Sequence, residues 1–142
     1  MATGTGRPQR GQALVEFALA VTVFLLLLMG VVDLGRGIYM YNGVSQAARE
    51  IARVTSVHPG STLGSSSQAT TVIATQQGLI PNLGTPTFAC VDISGAPIHS
   101  STTCASGDFV KVVVSAPFSP VTPLLGLTGT WNLQSTSIVQ IQ

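Results

Sequence analysis

From Phe17 to Val32 the chain reads FALAVTVFLLLLMGVV, without a single charged residue. Extended back to Ala13, the run gives about twenty helical positions. At about 1.5 Å rise per residue these cover the roughly 30 Å hydrocarbon core of a bilayer. Arg7 and Arg10 precede the run, whereas Asp33 and Arg36 offset each other behind it. The excess of basic residues on the N-terminal side predicts that Met1–Gly11 is cytoplasmic and everything beyond the anchor extracytoplasmic. A cleaved secretory signal is the competing reading. Against it, the apolar run exceeds the 7–15 residues typical of a signal core, and VVDLGRGIYMYN continues as amphipathic helix where a small-residue cleavage site would stand.

The rest of the sequence allows one modest domain. Residues 1–11 form a polar leader, MATGTGRPQRG, expected to be disordered. Residues 12–57 read as one long helix, spanning the membrane over about 13–32 and continuing as an amphipathic extension over 33–57. At about 100° per residue, Met40, Val44, Ala47, Ile51 and Val54 share one face, with Asn42, Arg49 and Arg53 opposite. Gly30, Gly35 and Gly37 predict a hinge or local melting at the membrane exit, because glycine weakens helices. His58, Pro59 and Gly60 end the helix.

Residues 58–142 then read as an extracytoplasmic α+β domain. Ser67 is a candidate cap for a second, short helix over about Gln68–Gly78. Strands are expected at Thr87–Ile93, Asp108–Ala116 and Trp131–Gln142, forming a small antiparallel sheet of about three strands against the long helix. In the last strand Leu133, Ser135, Ser137, Val139 and Ile141 fall on one face. Three prolines between Pro117 and Pro123 mark a connection.

Charge and motif content narrow the function. Only 8% of residues are charged and the net charge is +1, against about 25% charged residues in ordinary soluble domains. Six Lys and Arg spread along the chain leave no basic patch, so nucleic acid is not an expected partner. The acids beyond the anchor region, Glu50, Asp92 and Asp108, are far apart in sequence. No nucleophile elbow, zinc-hydrolase or phosphate-loop motif accompanies them, so neither an enzyme nor a cofactor is expected. His58 and His99 read as surface residues. Cys90 and Cys104, the only cysteines, lie on the side assigned as oxidising and are candidates for a disulfide, two buried thiols being the alternative.

Glu16 is the residue that the anchor alone does not explain. An ionisable group at the edge of the bilayer either reaches water, pairs with Arg10, or awaits another partner. Its surroundings are specific: Gly11, four residues, then Glu16 and Phe17, set between a basic leader and the apolar run. RGQALVEFALAV, the later GVVDLGR (Gly30–Arg36) and QAAREIAR (Gln46–Arg53) resemble, in order and spacing, TadE-like pseudopilins and minor pilins of the Tad (Flp, type IVb) pilus system. The resemblance covers about the first 55 residues.

It implies processing by a prepilin peptidase at Gly11, Gln12, Glu16 and Phe17, with cleavage after Gly11 and Gln12 as the new N-terminus. It also implies that Glu16 acts in subunit assembly, facing the α-amino group of a neighbouring subunit. The implied partners are the peptidase, other Tad pilins and pseudopilins, the Tad assembly machinery and membrane lipid. The implied place is the prokaryotic cell membrane, and from there the pilus or cell surface. Thr22 stands where related sequences often carry Pro, Asp33 where Glu is commoner, and Ile51 where a small residue is frequent. An uncleaved, membrane-anchored binding or adhesion module is the alternative.

Overall fold

A computed structural model describes residues 10–98, 103–122 and 129–142. Residues 1–9 of the expected leader and His99 lie outside these residues, as does Pro123; Arg10 and Gly11, expected to belong to a disordered leader, instead open the first helix. The elements run α1 (Arg10–Val57), α2 (Ser67–Leu79), β1 (Thr87–Val91), β2 (Phe109–Phe118) and β3 (Trp131–Gln140). The α+β class, with its long N-terminal helix, short second helix and three-stranded antiparallel sheet, agrees with the sequence reading.

Helix α1 is continuous over 48 residues. The hinge expected at Gly30, Gly35 and Gly37 is absent: the helix passes through all three. Packing gives one physical reason. A β-carbon at Gly37 would lie 3.5 Å from the Phe118 ring, and one at Gly43 would lie 3.5 Å from Ile80. These two glycines let neighbouring elements approach the helix closely, and burial against them holds the backbone that glycine alone would loosen. The helix ends as expected before Pro59, with the His58 N–H still bonded to Val54 O and the chain turning at Gly60 (φ 76°).

The outer half of α1 buries Val44, Ala47, Ala48, Ile51, Ala52 and Thr55, while Asn42, Arg49 and Arg53 stay exposed. Val54, expected on the buried face, is half-buried at its edge. Arg53 turns to Glu50 instead of the core, with both carboxylate oxygens engaged at 2.7 and 3.2 Å.

The sheet has the order β1-β2-β3, all antiparallel. Because side chains alternate along a strand, Val110, Val112, Val114, Ala116 and Phe118 of β2 all point to one face and are buried. The register sets Val110 opposite Val139, Val112 opposite Ser137, Val114 opposite Ser135 and Ala116 opposite Leu133. The face expected for β3 is therefore the core face, and Ser135 and Ser137 leave it lightly filled where α1 crosses.

Several boundaries moved, each for a local reason. Ser66, not Ser67, caps α2, accepting the Ala69 N–H at 3.2 Å. β1 stops at Val91 because the Asp92 carboxylate gathers the N–H groups of Ser94 and Ala96 into a turn, leaving Ile93 in solvent. β2 continues through Pro117 into a segment read as a connection. There β1 has already ended, and β2 is an edge strand on that side. Pro117 has the same parity as Ser115, whose carbonyl points away from β3 to accept the Gly84 N–H. The absent N–H of Pro117 therefore faces the open edge and costs the β2–β3 ladder nothing.

Cys90 and Cys104 form a disulfide that ties β1 to the chain entering β2. In the chain-entropy treatment a loop of this length contributes about 3 kcal/mol.

Ile51 lies fully buried at the centre of the helix–sheet contact. Ile51→Ala is expected to lower unfolding free energy by about 2–5 kcal/mol, and Arg49→Ala on the exposed face by no more than about 0.5 kcal/mol. Urea denaturation of the full chain in detergent, followed by Trp131 fluorescence, measures both.

Candidate functional site: the processing edge and the membrane exit

The N-terminal residues picked out by sequence lie together on the first turns of α1. Gly11, Gln12, Glu16 and Phe17 are all exposed. Gly11 is already helical, and a β-carbon there would meet nothing within 4 Å. Gly11 and Glu16 are five residues apart, or about 7.5 Å along the axis. The edge is thus an accessible helical end with an acid one and a half turns inside it.

Beyond this edge the apolar residues stay on the outside of the molecule. Leu14, Phe17, Leu19, Phe24, Leu27 and Val31 are each at least 60% exposed, and none of the most apolar window of α1 is buried. A core helix of a water-soluble domain would bury this surface, so the segment has the character of a single membrane anchor. Thr22 does not kink it: its hydroxyl donates to Ala18 O at 2.8 Å, which satisfies the polar group within the helix.

At the outer end of the apolar run stands Asp33, a residue to which the sequence reading gave no role beyond offsetting Arg36. Its side chain is almost fully covered. Oδ1 accepts the Val121 N–H at 3.1 Å, and Oδ2 accepts the Thr122 N–H at 2.8 Å together with the Thr122 hydroxyl. Arg36, one turn along, donates to Oδ1 at 3.3 Å. One carboxylate on the first helix thereby holds the chain just after β2, nearly ninety positions later in sequence. The hydroxyl and N–H of Thr122, then the N–H of Val121, hold the Asp33 carboxyl well below its ordinary 3.8, at about 2, with a smaller contribution from Arg36.

The signal for this residue was in the sequence. Asp33 and Ile51 are eighteen residues apart, which is five full helical turns. Asp33 therefore lies on the same line as the centre of the core stripe, and an acid on a packing face requires donors. What could not be read was their source, because Val121 and Thr122 are brought there only by the β2 register.

Beside this junction a cleft of about 460 Å³ opens between α1 and the ends of β2 and β3. Leu34, Ile38, Tyr41, Phe118 and Trp131 line it, with Gly30 at its lower end. The Arg36 guanidinium lies over the Phe118 ring, 5.8 Å from its centre. Among the described residues no cluster of three His, Cys, Asp or Glu side chains is placed to hold a metal ion.

The Asp33 contacts have a direct readout. In Asp33→Asn the amide protons of Val121 and Thr122 should exchange at least tenfold faster than in the parent chain, while those of β2 keep their protection. Since the folded-state pKa is lowered, the ionised contact is complete at neutral pH and is lost as pH falls from about 4 towards 2. A carboxyl NMR titration of Asp33 in the full chain should place its midpoint below those of exposed acids.

Residues 11–53 match the family described as TadE-like protein. No curated protein and no solved structure matches the chain. The matched stretch begins at Gly11 itself and holds the acid at position 16, the apolar run, Asp33 and most of the core-facing stripe. The sheet lies outside it. Over this anchor-bearing segment, residues 11–53, the chain is similar to TadE-like proteins.

Proposed function

We propose that this protein is a minor pilin or pseudopilin, a structural component of a Tad-type pilus or secretion apparatus that acts by assembly. The match to TadE-like proteins over residues 11–53, starting at the glycine of the processing pattern, carries the reading. The anchor holds the subunit in the membrane with its N-terminus in the cytoplasm and the α+β domain outside. The excess of Arg7 and Arg10 before the run supports this orientation.

Cleavage after Gly11 by a prepilin peptidase makes Gln12 the mature N-terminus and Glu16 the fifth mature residue. The openness around Gly11 suits a protease that must surround the scissile bond. The exposed Glu16 suits a contact made between subunits. In a low-dielectric setting its carboxylate is relieved by a cation, and the α-amino group freed by cleavage on a neighbouring subunit is one. The long helix then leaves the lipid to pack among similar helices, and the outer domain caps, initiates or decorates the assembly.

N-terminal sequencing of the protein recovered from membranes tests the reading. A chain starting at Gln12, reverting to Met1 when the peptidase is deleted or when Gly11→Leu is introduced, is the expected result. A Met1 terminus in cells with a working Tad system would contradict it and leave an uncleaved anchored module in its place.

A further inference from the structure

The membrane exit has an apolar surface that continues the anchor upward onto the folded domain. Leu34 is 65% exposed, Ile38 54%, Val121 69% and Trp131 48%. Leu34, Ile38 and Trp131, with the half-exposed Tyr41, line the cleft whose lower end is Gly30, inside the apolar run, and Val121 lies between two further lining residues, Pro120 and Thr122. The surface is therefore not an isolated patch, since the lipid that covers Val31 and Val32 meets it directly.

Its height above the bilayer core follows from the packing. Phe118 seats on Gly37, and Trp131 pairs with Phe118 across β2 and β3. Gly37 is five residues beyond Val32, about 7.5 Å along the helix axis. The headgroup layer of each leaflet adds about 5–7.5 Å to the hydrocarbon core, so the Phe118–Trp131 pair stands at the outer edge of the headgroup layer. The chemistry suits that level as well. Trp and Tyr place an apolar ring with a polar edge at the interface, and the Arg36 side chain, 51% exposed, can reach lipid phosphate while its stem stays on apolar surface. From Pro117 to Trp131 the sequence carries no charged residue that lipid would repel. Asp33, the one acid at this height, has its oxygens covered by donors of its own chain.

We infer that the lower end of the outer domain is seated in the headgroup layer of the outer leaflet, with membrane lipid covering Leu34, Ile38, Val121 and Trp131 and entering the cleft beside Asp33. The domain is thus held to the bilayer at two places, by its helix and by the end of its sheet. Leaving the membrane then requires this apolar surface to pass from lipid to another cover. The inference rests on membrane anchoring, but not on cleavage or on entry into a filament.

Trp131 is the only tryptophan in the chain, so its fluorescence reports this site alone. The full chain is reconstituted in vesicles of phosphatidylethanolamine and phosphatidylglycerol, with or without lipid brominated near the top of the acyl chain, and flotation verifies anchoring in every sample. Bromination should at least halve Trp131 emission at low protein-to-lipid ratio. Ile38→Glu, on the exposed side of the helix, should reduce that quenching at least twofold while helicity is retained. Emission indifferent to bromination in floating vesicles overturns the seat without touching the anchor. Shielding of Trp131 from acrylamide that develops only at high protein density, with no bromine effect, identifies a second copy as the cover and overturns it too.

Discussion

The Asp33 carboxylate stands where the uncovered apolar part of α1 gives way to a helix packed on a sheet, and it ties the two parts together. A long helix leaving a bilayer can carry a folded domain at any angle unless something near the exit fixes it. Here the fixing group is an acid whose two oxygens receive N–H and O–H donors from the chain just after β2. Removing one partner of such a contact leaves the others desolvated, which is why a few hydrogen bonds at a junction outweigh their number. The same residue lines the cleft, one turn of helix from the Phe118 seat on Gly37.

The fold follows from dividing α1 between two solvents. Its inner half is apolar all round and is covered by no other part of the described chain, as suits a membrane anchor; its outer half keeps only a stripe, since one side meets the sheet and the other is exposed. Val44, Ala47, Ile51 and Thr55 keep that stripe narrow and small, so the helix lies close over β2 and β3. The sheet answers with an unbroken alternation from Val110 to Phe118. Its outer end is closed by the Cys90–Cys104 disulfide and by the Gly107 N–H to Ile141 O bond. A domain with this modest core gains from packing against a helix as long as α1.

Much of this was legible in residue order. Runs rich in Val, Ile, Thr and aromatic residues between Gly and Pro breaks located all three strands, helical periodicity located the core stripe, and an uncharged run between arginines and an acid located the anchor. The Gly11, Glu16 and Phe17 pattern, on which the proposed processing rests, is likewise local in sequence and lies within the stretch similar to TadE-like proteins. Local composition misled at the glycines near the exit, because propensity predicts weakness where tertiary burial at Gly37 and Gly43 supplies support. It misled again at Pro117, whose place on an open strand edge depends on where β1 stops. The partners of Asp33 were hidden for a related cause: a contact spanning nearly ninety positions is set by strand register, not by any local pattern.

The central claim is that one uninterrupted helix carries the domain in a fixed orientation relative to the bilayer anchor. Paired spin labels at two exposed positions, Leu26→Cys in the anchor and Gln134→Cys on β3, measure it in lipid nanodiscs by pulsed dipolar spectroscopy. A single narrow distance distribution, broadened when Asp33→Asn is added, is the predicted result. A broad distribution in the parent chain, unchanged by Asp33→Asn, would mean that the glycines at the exit do act as a hinge and that Asp33 does not hold the domain in place.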